Sequence, residues 1–93
     1  MYARVATFQG DPGRIDDAIA SVRSEVEGDA PPGFENAKML MLVDRESGKG
    51  IGITLFESEE AMRRGDEMLN EMNPSAGEQR RSVEFFEVPV HTL

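Results

Sequence analysis

The stretch Lys38-Met39-Leu40-Met41-Leu42-Val43, followed across a polar turn by Gly50-Ile51-Gly52-Ile53-Thr54-Leu55-Phe56, decides the fold. Side chains alternate faces along a strand, so an unbroken apolar run of strand length predicts a sheet that leaves water on both faces. Only two helical segments are present elsewhere in the chain to cover it. Helices are therefore expected over one face, and a second copy of the chain is the simplest cover for the other.

Working outward, Tyr2 to Gln9 alternates well enough for a strand, and Asp11-Pro12-Gly13 follows with an N-cap aspartate and a proline at the first helical position. In the helix that should start there, Ile15, Ala18, Ile19, Val22 and Val26 fall at helical spacing, with Asp16, Asp17, Arg23 and Glu25 on the wet side. Residues 28–33, with Pro31 and Pro32, should end it. The double-apolar strand covers about 37–43, residues 44–49 read as a hairpin turn, and 50–57 as the returning strand. Ser58 caps a second helix whose first turn holds Glu59 and Glu60 at the positive end of the dipole. Its buried stripe reads Ala61, Gly65, Met68, Leu69 and Met72, and Pro74 closes it. Residues 73–82 read as a polar loop and 83–90 as the last strand, with Pro89 suited to a sheet edge. The order is βαββαβ, and Val5-Ala6-Thr7-Phe8-Gln9 before one helix echoes Ile53-Thr54-Leu55-Phe56-Glu57 before the other. This is the ferredoxin-like α+β plan: a four-stranded antiparallel sheet with two helices on one face, in a single domain over residues 1–93.

Composition limits the partners. Eighteen acidic against ten basic residues give a net charge of -8, which repels phosphate backbones and anionic membrane surfaces. No nucleic acid and no membrane are expected as partners. The absence of cysteine removes disulfides and thiolate chemistry. With no long apolar run and no basic start, a soluble cytoplasmic protein is expected.

Two families share the plan. Lys49-Gly50-Ile51-Gly52-Ile53-Thr54-Leu55-Phe56 resembles the main signature of RNA-recognition domains, but Ile51 and Ile53 stand where those domains place base-stacking rings. A fuller resemblance is carried by Met1-Tyr2-Ala3-Arg4-Val5, Pro32-Gly33-Phe34, Leu55-Phe56-Glu57-Ser58-Glu59-Glu60-Ala61 and Val83-Glu84-Phe85-Phe86-Glu87-Val88. In their order and spacing these segments resemble the antibiotic-biosynthesis-monooxygenase-like dimeric α/β-barrel proteins. The resemblance implies a homodimer packed sheet to sheet, a small pocket between sheet and helices, and cofactor-independent oxygenase activity. It also implies that Phe56 occupies a position where the oxidising members commonly carry tryptophan. Asp66 falls near a histidine of the haem-binding branch, and Ala3 near its asparagine. These departures argue against haem degradation.

If Phe56 holds the family's pocket position, alternation puts Thr54 and Gly52 on its face. A loose alignment adds Ala3, Val5 and Thr7, so Thr7 and Thr54 are expected to supply hydroxyls to an otherwise apolar cavity. The alternative is a filled core with both hydroxyls bonded to backbone. The pocket set expected from sequence and resemblance is thus Thr7, Thr54, Phe56 and Asp66.

The other chemical residues read plainly. His91 has no identifiable partner, and no G-x-S-x-G elbow accompanies it. Asp44, Glu46 and Gly48 read as turn residues, not a calcium loop. Met39, Met41, Met62, Met68 and Met72 read as core packing, with a pliable apolar pocket as the sharper reading. Arg4 and Lys38 are charges within strands, for which an ion pair with Glu84 or Glu87 is the ordinary reading and anion binding the sharper one. Arg80 and Arg81 read as solvated loop residues. No metal, haem or flavin is expected. The functional expectation is a small homodimer that binds an apolar or aromatic molecule, with a non-catalytic binding or assembly protein of the same fold as the alternative.

Overall fold

The computed structural model describes residues 1–28, 34, 36–71 and 79–93. Its elements are β1 (Tyr2–Gln9), a 3-10 turn (Pro12–Arg14), α1 (Ile15–Glu27), β2 (Lys38–Val43), β3 (Lys49–Phe56), α2 (Glu59–Asn70) and β4 (Gln79–Glu87). The strands form one antiparallel sheet in the order β2-β3-β1-β4, which is the ferredoxin-like α+β arrangement.

Local chemistry sets the boundaries. The Asp11 carboxylate accepts the Gly13 amide at 2.8 Å, and the capped turn leads into α1. Ser58 does the same for α2, its hydroxyl accepting the Ala61 amide at 3.1 Å. Between β2 and β3 the Asp44 carboxylate accepts the Glu46 amide at 3.0 Å, and this bond holds its carboxyl below the ordinary value. Whatever this contributes to the turn is present above the usual carboxylate range and lost as pH falls through the lowered value. Gly48 closes the turn at φ 80°, where a Cβ would collide with the Gly10 carbonyl. The expected hairpin turn is therefore what these residues build.

Two boundaries depart from expectation. The last strand starts at Gln79 and ends at Glu87, so residues 79–82 belong to the sheet and Pro89 lies beyond it. A register shift explains why. Thr7 pairs with Ser82 but Phe8 pairs with Arg80, so Arg81 is bulged out and the polar run joins the ladder without the alternation that marks a strand. The proline pair expected to end α1, and Met72 and Pro74 at the end of α2, lie outside the described residues.

Register separates the two faces. Tyr2, Arg4, Ala6 and Phe8 of β1 pair with Phe56, Thr54, Gly52 and Gly50 of β3, and this is the face beneath the helices. Ala3, Val5 and Thr7 point the other way. Under α2 the covering is tight. Phe34, Phe56 and Met62 form the buried cluster, with the two rings edge to face at a centroid distance of 5.6 Å. Gly65 lets α2 settle on Phe56, since a Cβ there would collide with the ring.

Over β2 and the start of β3 the covering is loose. Ile15 and Ala18 of α1 are buried, but Val22 is half-buried and Val26 is 52% exposed. The apolar residues of β2 are correspondingly open on both faces, with Met39 47% and Leu42 46% exposed. On the side away from the helices, Leu40 and Phe86 are also exposed, while Val5, Ile51 and Ile53 are half-buried. Among the described residues no helix is long and apolar enough to cross a membrane.

Candidate functional site

The space left between α1 and the sheet is a cleft of about 410 Å³. Ile19 and Val22 of α1 form its roof, and Met39 and Met41 of β2 one wall. Gly50 and Gly52 form the floor, and having no side chains they leave the volume that α1 does not fill. Met39 and Met41 line this cleft, whereas Met62 is core. Flexible thioethers suit a wall that must adapt to its contents.

One end of the cleft is polar. Thr54, 3% exposed, lies directly across from Arg4 in the β1–β3 register, and both line the cleft. Among the described residues the Thr54 hydroxyl forms no hydrogen bond. Arg4 is 4% exposed and is held from α2: its Nε donates to Asp66 Oδ1 at 2.8 Å and its Nη2 to Asn70 Oδ1 at 3.2 Å. Arg80 comes from β4 to the same amide oxygen, donating through Nη1 at 3.4 Å and through Nη2 to the Leu69 carbonyl at 3.1 Å. Its guanidinium also lies 5.9 Å from the centre of the Phe8 ring.

The expected pocket set divides. Thr54 lines the cleft, but Thr7 pairs with Ile51 and Ser82 on the opposite face of the sheet, because the loose alignment of β1 was out of step by one residue. Phe56 shares the face of Thr54 yet is 2% exposed within the core under α2, too deep to meet a ligand in the cleft. Asp66 stands behind Arg4 as its counter-ion and is not a lining residue. Arg4 accordingly pairs with α2, not with Glu84 or Glu87. Arg80 is half-buried and bonded to α2, not a solvated loop residue. The bulge at Arg81 hid this position, since simple alternation from Val83 would have put Arg81 on the helix face.

Elsewhere His91 is exposed. Among the described residues no cluster of histidine, aspartate or glutamate has the arrangement of a metal site. A comparison with protein-family models and one with curated proteins found no match to this chain.

Proposed function

We propose that the protein binds a small apolar or aromatic molecule in the cleft between α1 and the β2–β3 sheet. The observation that carries this reading is the 410 Å³ space with glycines beneath it, methionines beside it and the Thr54 hydroxyl at one end. Predominantly apolar walls with few polar groups are what small-molecule sites present. The neutral fluorescent probe N-phenyl-1-naphthylamine tests it, in the parent chain and in Gly52→Val. A Cβ at Gly52 would lie 3.7 Å from Phe8 Cε2, an ordinary contact, and valine suits a strand interior. The branched side chain should occupy the cleft and weaken probe binding by about tenfold, ~1.4 kcal/mol, with thermal unfolding unchanged. Equal binding by both chains would place the probe elsewhere.

The same proposal includes a homodimer joined through the sheet face away from the helices. Exposed Leu40, Leu42 and Phe86, with half-buried Ile53 among them, support a second copy as the cover for that face. Ile53→Asp would bury an unpaired charge there, and the mass by light scattering should fall from dimer to monomer. A parent chain that is monomeric at every concentration would remove the dimer from the proposal. The resemblance to the antibiotic-biosynthesis-monooxygenase-like proteins adds cofactor-independent oxygenation as the activity to assay. Oxygen consumption with an oxidisable polycyclic compound separates such an enzyme from a non-catalytic binder of the same fold.

A further inference from the structure

We infer that the occupant of the cleft is an apolar acid, with its carboxylate seated between Arg4 and Thr54. This rests on the reading of the cleft as a ligand site and specifies the chemistry of what enters it. Arg4 carries the argument. Its side chain is 5% exposed, and among the described residues it donates only to Asp66 and Asn70, through Nε and Nη2. A guanidinium has more N–H donors than these bonds use, and the Nη1 donors are left over. Nη1 is not sealed from solvent and so stays open to an incoming group, for which an anionic oxygen is the strongest acceptor. Thr54 supplies the second contact. Its hydroxyl is across the strand pair from Arg4, has no partner among the described residues, and can donate to the same carboxylate.

The surroundings hold Arg4 in this pose. Asp66 and Asn70 sit one helical turn apart on α2 and grip one edge of the guanidinium. Arg80 brings a second guanidinium to the Asn70 oxygen. Away from Arg4 and Thr54 the cleft is lined by Ile19, Val22 and Met41, which suit an aromatic or branched apolar body, with Arg23 and Glu25 of α1 also on its lining. Across a chain of net charge -8, the polar end of this cleft is a place where a guanidinium faces inward with donors to spare.

The test uses two probes of one shape, 2-naphthoate and its neutral methyl ketone, 2-acetylnaphthalene, titrated calorimetrically into the full chain at neutral pH. The expected result is at least a tenfold preference for the carboxylate. The double variant Arg4→Met/Asp66→Asn removes the cation together with its counter-ion, so no unpaired charge is left to unfold the chain. In it the preference should fall to within about twofold. Thr54→Val should weaken the naphthoate severalfold without abolishing the preference. Equal binding of both probes by the parent chain would overturn the acid assignment and leave the cleft as a neutral apolar site. A preference that survives in the double variant would equally overturn it, and binding of neither probe would overturn the cleft reading itself.

Discussion

Phe56→Ala is expected to lower the unfolding free energy by about 3 to 5 kcal/mol, the cost of emptying a buried phenylalanine site. The residue is 2% exposed and carries the core under α2, edge to face with Phe34. Gly65 presents backbone alone to the ring, so the cavity has no adjacent side chain of α2 at that position able to swing in. A 93-residue domain has on the order of 5 to 14 kcal/mol of stability in total, so the variant should unfold far earlier in denaturant. Because Phe56 lies apart from the cleft, the folded fraction should bind a neutral apolar probe as the parent does. Urea unfolding with probe titration reads both quantities. A loss below about 1 kcal/mol, the size of ordinary surface effects, would mean that the ring does not anchor the core.

Asp66→Ala is the second large effect, with an expected loss of about 3 kcal/mol, the low end for breaking a buried ion pair because Asp66 is 22% exposed. The carboxylate itself contributes less than this. What costs is the Arg4 guanidinium left 5% exposed with Asn70 as its remaining acceptor on α2. Adding Arg4→Met should therefore recover most of the loss, since the double variant buries no charge. Unfolding of the two single variants and the double variant gives the coupling directly. Losses that simply add would show that Arg4 and Asp66 act independently.

The fold was legible in the sequence because its signals are local. Asp11 and Ser58 cap the helices, residues 44–49 carry turn chemistry, and the runs at 38–43 and 50–56 are apolar beyond mistake. The site was legible only in part. Thr54 could be placed from Phe56 by alternation within one strand, and it does share that face and line the cleft. Thr7 required the register between strands, which depends on how two chains of side chains meet and not on either strand alone. Arg4 was visible as a charge in a strand, but its partner lies on a helix 62 residues away, a separation that no local pattern spans. Arg80 was hidden by the bulge at Arg81, which breaks the period-two pattern at the point where it was needed. The cleft follows from burial fading along α1 above two glycines. Val22 and Val26 have helical spacing like Ile15 and Ala18, and nothing in the spacing says that Val22 stays half-buried and Val26 exposed.

Amide chemical shifts recorded while the neutral probe N-phenyl-1-naphthylamine is titrated into the isotope-labelled chain test the ligand cleft most directly. Shifts should concentrate at Gly50, Gly52, Thr54, Met41 and Val22, around the cleft. Shifts concentrated instead at Leu40, Leu42 and Phe86, on the open face of the sheet, or spread without pattern over the surface, would contradict a ligand site beneath α1.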